Sequence, residues 1–453
     1  MVCFGKKVGA LFVGAALLAL SSSAAAQTGC PEGLWTGMSA ELEAACRGEL
    51  AGTVVTMTGP FVDADEVLFN ESIADFEAWT GIDIQYTGSK EFEVAIIAAV
   101  EGGAAPDIAD FPQPGLLESF AARGQVVDVS TFMNMDWLMQ NYAPGWLDYA
   151  TMEGPNGPIM AGVWARYNAK SQVYYAVKAF EENGYEIPTT WDELMALSQQ
   201  IVDDGGTPWC IGIESGAATG WPATDWMEEI MLRTTSLENY DRWTVPATPE
   251  DRLRFTDPIV RRAAEILAEI WFNDDFVRGG RQAIAVTSFG DAPAGLFTDP
   301  VECYMHKQGN FISSFFPAGV EFGVDWDVFY LPPIDEEFGR PYLVAGDIYA
   351  MFNDRPEVRA VMDFFSRGAS LSGWLEAGGT LSPHNDAVYS NPAEEKIASL
   401  VANATSVRFD GSDLMPGAVG AGSFWKGMTD WVSGTVDLDT ALAEIDAAWP
   451  VGR

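Results

Sequence analysis

A carboxylate, an aromatic ring and an amide follow one another closely where a short extended segment of the chain ends. Asp110, Phe111 and Gln113 stand in the sequence Asp-Phe-Pro-Gln-Pro, just before a helical stretch over about residues 116–123. Open α/β sheets hold their ligands at the carboxyl ends of strands. We therefore expect this segment to form one wall of a ligand site. The alternative is a βα unit with a purely structural role.

Further aromatic residues stand in polar or glycine-rich loops. An aromatic face suits the C–H face of a pyranose ring, while Asp, Glu, Arg and Gln side chains can bond its hydroxyls in the ring plane. Repeated in several loops, this pattern favours a sugar-type binding site. The residues concerned are Trp164 beside Arg166, Trp221 after Gly220, Phe297 ahead of Asp299, and Trp425 in a Gly-Ser-Phe-Trp sequence.

The sequence contains no pattern typical of catalysis. GxSxG, Walker A, GxGxxG, HExxH and EF-hand sequences are all absent. The chain has 2 histidines, which leaves few general bases of the usual kind, and no CxxC spacing for a metal. A pair of carboxylates for glycoside hydrolysis stays open, because Asp and Glu are abundant along the chain. We expect a binding protein without catalytic activity, metal or cofactor.

The elements that must position these loops alternate between strand and helix. Residues 53–57 and 82–86 are rich in β-branched residues and predict strands, and helical spacing of apolar residues follows each of them. The order strand, loop, helix occurs three times before residue 130, which predicts an α/β domain with a largely parallel sheet. A capping box from Thr190 to Glu193 and a proline at position 258 mark the starts of later helices.

The first residues predict export. Residues 1–26 combine Lys6 and Lys7, an apolar run and three small residues, which is typical of a signal peptide; residues 27–49 read as a Cys-containing extension. No lipobox precedes Cys30, so we expect a periplasmic protein that is not lipid-anchored. The net charge of −40 makes nucleic acid a poor partner, because phosphate contacts need Lys and Arg.

Four cysteines remain after the predicted signal peptide, and four can pair in three ways. In an oxidising compartment we favour one clip near the N-terminus, Cys30–Cys46, and one long-range bridge, Cys210–Cys303.

With these residues in place, the chain resembles the extracellular solute-binding proteins of bacterial ABC importers. It is similar to the sugar-binding family that includes the maltose-binding protein, and more closely to the α-glucoside-binding branch. The resemblance spans nearly the whole mature chain. It rests on residues 102–127 and 185–201, on Gly220-Trp221-Pro222, on Ala345-Gly346-Asp347 with residues 353–357, and on residues 414–416 and 423–425.

The resemblance implies the two-lobed α/β fold of periplasmic binding proteins, in which each lobe is a mixed or parallel sheet flanked by helices. The ligand would lie in the cleft at the hinge, and closure would signal the membrane partner. Lobe one would comprise residues 50–167 and 328–379, and lobe two residues 168–327 and 380–453.

The resemblance also assigns roles to residues. Phe111 and Trp425 match stacking aromatics on opposite lobes, and Trp221 matches a Trp-Pro at the back of the cleft. Asp110 and Gln113 would accept hydroxyl hydrogen bonds. The full set of expected ligand-binding residues is Thr58, Phe61, Glu91, Phe92, Asp110, Phe111, Gln113, Trp164, Arg166, Gly220, Trp221, Phe297, Asp299, Gly346, Asp347 and Trp425.

Departures from the maltose binders point to another ligand. Pro114 stands where those proteins have an acidic contact, and Val301 and Cys303 stand where they have tryptophans. We therefore expect a monomeric binding protein that delivers a small α-linked sugar, such as trehalose or sucrose, to ABC permease subunits. Two alternatives are a binder of a cationic, polyamine-like molecule and a secreted glycoside-active enzyme.

Overall fold

The computed structural model describes residues 29–31, 36–142 and 145–450. The predicted signal peptide lies outside the described residues. The strands are β1 Val54–Gly59, β2 Asp83–Gly88, β3 Ile108–Phe111, β4 Thr151–Gly154, β5 Gly157–Met160, β6 Val163–Ala169, β7 Gln172–Ala176, β8 Met305–Lys307, β9 Trp326–Tyr330, β10 Pro341–Met351 and β11 Ser406–Phe409. The helices are α1 Ala40–Cys46, α2 Ala64–Thr80, α3 Phe92–Glu101, α4 Pro114–Ala121, α5 Met135–Asn141, α6 Trp146–Ala150, α7 Val177–Asn183, α8 Trp191–Asp203, α9 Trp221–Thr234, α10 Leu237–Thr244, α11 Pro258–Trp271, α12 Arg281–Ile284, α13 Pro356–Phe365, α14 Ser372–Ala377, α15 Pro392–Ala402, α16 Gly411–Leu414, α17 Trp425–Ser433 and α18 Leu438–Ala447.

The larger sheet has the strand order β11-β10-β3-β1-β2, and β6 also pairs with β10. β1 runs parallel to both β2 and β3, as the repeated strand–loop–helix order predicts, and β10 runs antiparallel to β3 and β6. The loops that follow β1 and β3 therefore meet at one edge of the sheet, because the carboxyl ends of parallel strands share an edge. This edge carries Phe61 and Gln113.

A smaller antiparallel sheet, β8-β7-β9, lies in the second part of the structure. Only residues 170 and 171 separate β6 of the larger sheet from β7 of the smaller one. One buried apolar cluster surrounds the larger sheet, and a second is built mainly from α8, α9, α11 and α17. The smaller sheet contributes buried residues to both clusters, so it lies where the two cores adjoin.

The lobe boundaries named above stay a prediction. β11, placed there in lobe two, pairs in parallel with β10 of the larger sheet, with Tyr342 opposite Val407. No helix in the described part of the chain is long and apolar enough to cross a bilayer.

The capping box that begins α8 is present. The Glu193 backbone N–H donates to Thr190 Oγ1 at 3.2 Å, and Glu193 Oε2 accepts from the Thr190 N–H at 3.2 Å. Each bond satisfies an N–H that the first helical turn leaves unpaired. Pro258 opens α11 as expected, after the N-cap residue Asp257.

The two favoured disulfides, Cys30–Cys46 and Cys210–Cys303, are both confirmed. They close loops with sequence separations of 16 and 93 residues. In the chain-entropy account, a longer loop removes more freedom from the unfolded chain, so its bridge stabilises more.

We expect the Cys210→Ser/Cys303→Ser variant to lose about 4–5 kcal/mol of unfolding free energy, against about 3 kcal/mol for Cys30→Ser/Cys46→Ser. Urea unfolding of the two double variants and the wild type measures the difference. Equal losses, or a larger loss for the short loop, would contradict the loop-length argument.

Candidate functional site

A cavity of about 140 Å³ lies between the loop edge of the larger sheet and the helices α9 and α17. The loops after β1 and β3 contribute from one side, and the first residues of α9 and α17 contribute from the other. The expected site residues that line it are Phe61, Gln113, Arg166, Trp221, Gly346, Asp347 and Trp425.

Five of the lining residues are aromatic: Phe61, Trp221, Phe289, Phe311 and Trp425. Trp221 begins α9 and is half-buried, with its ring centroid 5.2 Å from that of Phe289 and 5.7 Å from that of Phe311. Trp425 begins α17 directly after a π-helical turn and is 2 % exposed. Phe61 lies across from them and is also 2 % exposed. Such surfaces offer flat apolar contact to a ring.

Gly220 brings the two tryptophan-bearing helices close together. Its φ of +114° lies in the left-handed region, and a Cβ at this position would lie 2.2 Å from the Trp425 carbonyl oxygen. Only glycine meets both demands. Gly220 therefore contributes to the site by close packing of its backbone and does not line the cavity.

Arg166 is the charged centre of the larger-sheet side. Its Nε donates to Asp347 Oδ2 at 2.6 Å, and its Nη2 lies 3.5 Å from Asp65 Oδ2. Its guanidinium carbon also lies 4.2 Å from the Phe61 ring centroid and 4.3 Å from that of Trp374. The ion pairs and the stacking together fix a fully buried cation at the cavity wall.

Several buried polar atoms of the cavity wall have no hydrogen-bond partner within the described residues. They include acceptors and donors: Asp65 Oδ1, Gln113 Oε1, Asn168 Oδ1, Arg166 Nη1 and Trp425 Nε1. Buried polar groups are normally satisfied, and each one left unpaired costs free energy. A ligand that both donates and accepts, as a hydroxyl does, would satisfy this mixed set.

Burial perturbs the acids of this wall. It raises the pKa of Asp65 to about 6, although the Arg166 charge acts in the opposite direction. Burial also raises the pKa of Glu93 to about 7, opposed by backbone hydrogen bonding and by the 3.3 Å hydrogen bond from Gln113 Nε2. Both groups therefore favour the protonated form more strongly in the folded chain than in the unfolded one.

We expect Glu93→Gln to stabilise the protein at pH 8 and to have little effect at pH 4. The folded pKa of about 7 exceeds the unfolded value, so the wild type gains stability from protonated Glu93 at low pH and loses it as pH rises toward 7. A neutral Gln avoids this loss, worth roughly 1–3 kcal/mol. Urea unfolding at the two pH values tests it, with exposed Glu71→Gln as the control. A Glu93→Gln effect independent of pH would contradict the prediction.

A second charged cluster, around Lys170, also borders the cavity. Lys170 Nζ donates to Asp225 Oδ1 at 2.8 Å and to Asp410 Oδ2 at 2.6 Å, and all three side chains are buried. Burial acts to raise the pKa of Asp410, but the Lys170 charge and several hydrogen bonds bring it down to about 2. For Asp225, burial exceeds the effect of Lys170 and raises the pKa to about 7.

The structure does not place Phe111 on the cavity. Its side chain is fully buried, with ring centroids of Phe92, Phe120 and Phe352 at 5.4, 5.9 and 6.2 Å. All four residues of β3 are buried, so this strand lies inside the sheet and both of its faces are covered. Phe111 and Phe92 therefore pack the core, and the stacking role expected of Phe111 falls to other rings.

Asp110, also on β3, is fully buried behind the cavity wall, and neither of its carboxylate oxygens has a partner among the described residues. Burial raises the pKa of Asp110 well above its ordinary range, with Asp347 adding to the effect. A neutral carboxyl group there avoids both the cost of burying a charge and repulsion from Asp347.

Trp164 turns away from the cavity although it is two residues from Arg166. The pairing of β6 with β10 shifts register between Asp347 and Ile348, so that Ile348 lies opposite Trp164. A bulge of this kind changes which face a side chain takes. The Trp164 ring packs instead against Trp146 and Phe409, at 5.1 and 5.3 Å.

The remaining expected residues do not line the cavity either. Thr58 Oγ1 donates to the Thr87 carbonyl at 2.9 Å, and Glu91 is exposed at the start of α3. Phe297 packs on Phe316 at 4.8 Å, and Asp299 is exposed beside Pro300. The cavity wall also contains residues that sequence reasoning missed. They are Asp65, Glu93, Asn168, Lys170, Phe289, Phe311, Asp410 and Asp413, among others.

Some of the missed residues carry a sequence signal. Asp65 follows a strand at the start of a helix, as Gln113 does, and Lys170 directly follows β6, the strand that holds Arg166. Asp410 and Asp413 stand in Asp-Gly-Ser-Asp, just before the Leu-Met-Pro used for the family resemblance. Phe289 and Phe311 carry none, because Phe289 stands in a loop and Phe311 in a short 3-10 turn over Asn310–Phe315, where no hydrophobic periodicity marks the side chains that face inward.

The geometry of two α/β halves around a lined cavity is that of known binding proteins. The chain matches a solute receptor with an exclusive preference for β-D-galactopyranose (TM-score 0.73, 16% identity, covering 88% of this chain and 98% of that one). It also matches a maltose-bound protein of T. maritima (TM-score 0.68, 14% identity, covering 87% and 98%). These likenesses confirm the two-lobed periplasmic-binding-protein fold.

Residues 63–367 match the family model of the bacterial extracellular solute-binding proteins. The chain is 43% identical over 399 residues to the osmoprotective compounds-binding protein of Synechocystis sp., covering 87% of this chain and 92% of that one. It is 42% identical over 411 residues to the alpha-glucosides-binding periplasmic protein of Rhizobium meliloti, covering 88% of each. The chain belongs to the bacterial extracellular solute-binding protein family, as the sequence motifs indicate.

Proposed function

We propose that this protein captures a small neutral sugar, an α-glucoside disaccharide such as trehalose or sucrose, and delivers it to the membrane subunits of an ABC importer. The observation that carries the proposal is the composition of the cavity wall. There Trp221 and Trp425 supply ring surfaces, and buried donors and acceptors stand unpaired among the described residues. A sugar ring has apolar faces and hydroxyl edges that match both features.

A polyamine-like cation fits the wall less well. Such a ligand calls for an aromatic box closed by carboxylates alone. Arg166 and Lys170 both line this cavity, together with the amide side chains of Gln113 and Asn168. Two buried cations repel a positively charged ligand, and the amides add hydroxyl partners.

The function of the Synechocystis relative favours a second candidate, an osmoprotective compound. Trehalose or sucrose would satisfy both candidates, because each is a neutral polyol. A methylated ammonium compound such as glycine betaine would separate them, because it needs a cation-binding aromatic box. The relatives are described as binding proteins, which supports a role without turnover.

The test is a thermal-shift panel on the chain that begins at Gln27, with trehalose, sucrose, maltose, glucose, putrescine and glycine betaine. Binding to the folded state raises the melting temperature by mass action. We expect a disaccharide to give the largest shift and to be recovered unchanged after incubation. A shift with putrescine or glycine betaine alone would overturn the proposal, and hydrolysis of the sugar would favour the glycoside-active alternative.

Export to the periplasm and a monomeric state belong to the same proposal. Mass spectrometry of the protein secreted from a native host would locate cleavage before Gln27, and light scattering would give the mass in solution. Retention of residues 1–26, or a stable dimer, would contradict these points.

A further inference from the structure

Lys170 stands in the short connection between the two sheets. β6 of the larger sheet ends at Ala169, and β7 of the smaller sheet begins at Gln172. The connection is held tightly: the Lys170 backbone N–H donates to the Leu343 carbonyl at 2.9 Å, and Ser171 Oγ accepts from the Leu343 N–H at 2.8 Å. These two bonds hold the connection against β10 of the larger sheet.

The Lys170 ammonium joins elements from both sides of the cavity. It donates to Asp225 on α9, and to Asp410, the residue that caps α16 next to β11. Asp410 Oδ1 in turn accepts from the Asp413 backbone N–H at 3.0 Å. Two of the three N–H donors of the Lys170 ammonium are thus used within the chain, and the Lys170 side chain lines the cavity.

The same ammonium lies beside an aromatic wall of the cavity. Its nitrogen is 5.3 Å from the Trp221 ring centroid, within the range of a cation–π contact. Asp225 stands one helical turn after Trp221 on α9, so both lie on the same face of that helix. An organic cation bound against Trp221 would have to occupy the place that the ammonium already fills.

Three acidic side chains surround the single ammonium group of Lys170. Asp410 and Asp413 line the cavity, and Asp225 lies directly behind it; all three are at least nine-tenths buried. Without the ammonium, this group of acids beside a tryptophan ring would have the composition of a cation-binding site. Removal of one partner from a buried ion pair leaves a charge that attracts a replacement.

We propose that Lys170 is a specificity-determining residue of this cavity, whose ammonium occupies the cation-binding position among Asp225, Asp410, Asp413 and Trp221 and so restricts the site to uncharged, hydroxylated ligands. This inference rests on the proposed function and extends it. It explains how so acidic a protein keeps an aromatic site for neutral ligands free of organic cations. The remaining N–H of the ammonium is available to a ligand hydroxyl.

The experiment measures putrescine and disaccharide binding to the wild type, Lys170→Met and Lys170→Arg by calorimetry. We expect Lys170→Met to bind putrescine at least about tenfold more tightly than the wild type, because a close buried charge pair couples by more than a tenfold factor. Its disaccharide affinity should fall. Lys170→Arg keeps the charge and should exclude putrescine as the wild type does.

A double variant and a refolding assay keep the proposal testable if Lys170→Met fails to fold. Lys170→Met/Asp410→Asn removes one positive charge and one negative charge, because Asp410 has a pKa of about 2, and so restores the wild-type local net charge. It should bind putrescine more weakly than Lys170→Met. If Lys170→Met is unfolded alone, millimolar putrescine should restore its circular dichroism spectrum, whereas sucrose should not.

The proposal is overturned if Lys170→Met folds and gains no putrescine affinity, if putrescine fails to restore an unfolded Lys170→Met, or if Lys170→Arg and the double variant gain as much as Lys170→Met. These results do not depend on sugar binding. A wild type that binds no sugar would instead overturn the proposed function.

Discussion

Replacement of Arg166 by methionine is expected to lower the free energy of unfolding by about 3–5 kcal/mol, because it leaves buried carboxylates without their counter-charge. Arg166 is 4 % exposed, and it is held by Asp347 at 2.6 Å and by Asp65 at 3.5 Å. Methionine preserves much of the apolar contact with Phe61 and Trp374 but none of the charge. Urea unfolding at pH 7.5 measures the loss.

Two further variants make this prediction specific. Arg166→Lys keeps the charge but not the planar stacking, so we expect an intermediate loss. Arg166→Met/Asp347→Asn removes both members of the closer pair and should be more stable than Arg166→Met alone, because the uncompensated carboxylate is gone. If the double variant is less stable than the single one, the ion pair is not the source of the loss.

The second large effect concerns ligand affinity. We expect Trp221→Ala to weaken binding of the sugar recognised by the wild type by about 10- to 100-fold, because a half-buried ring at the centre of a binding site is a typical hot spot. Trp425→Phe keeps a ring but removes the Nε1 donor that lacks a partner in the described residues, so we expect a smaller loss of about tenfold. Calorimetric titration measures both.

Trp164→Phe is the matched control, because Trp164 also belongs to the set expected from sequence but packs on Trp146 and Phe409 away from the cavity. It should alter stability and leave the affinity within about twofold of the wild type. An affinity loss for Trp164→Phe equal to that of Trp221→Ala would show that the site lies elsewhere. An unchanged affinity in Trp221→Ala would contradict the stacking role.

The sequence alone was sufficient for the fold class, the family and the cysteine pairing. Strand–loop–helix repetition is a local pattern, and it predicts parallel pairing because consecutive βαβ units have few alternatives. Arg166, Trp221 and Asp347, which line the cavity, were also expected from sequence: Arg166 and Trp221 from aromatic residues in polar or glycine-rich segments, and Asp347 from the Ala345-Gly346-Asp347 motif of the family resemblance. The Cys210–Cys303 bridge was favoured with no structure, from the compartment and the count of cysteines alone.

Tertiary structure decided which residues of each segment face the ligand. Phe111 and Gln113 are two residues apart, yet one packs in the aromatic core and the other lines the cavity. Whether a strand residue is buried depends on elements elsewhere in the chain: here Phe92 of α3 and Phe352 after β10 pack on Phe111, and no local pattern reports them. The bulge between β6 and β10 likewise places Trp164 and Arg166 on different faces. The sequence does not show this bulge, because the bulge depends on a pairing across roughly 180 residues. Lys170 became a site residue only when Asp225 and Asp410 were brought to it from distant parts of the chain, since a buried charge acquires its role from the partners that surround it.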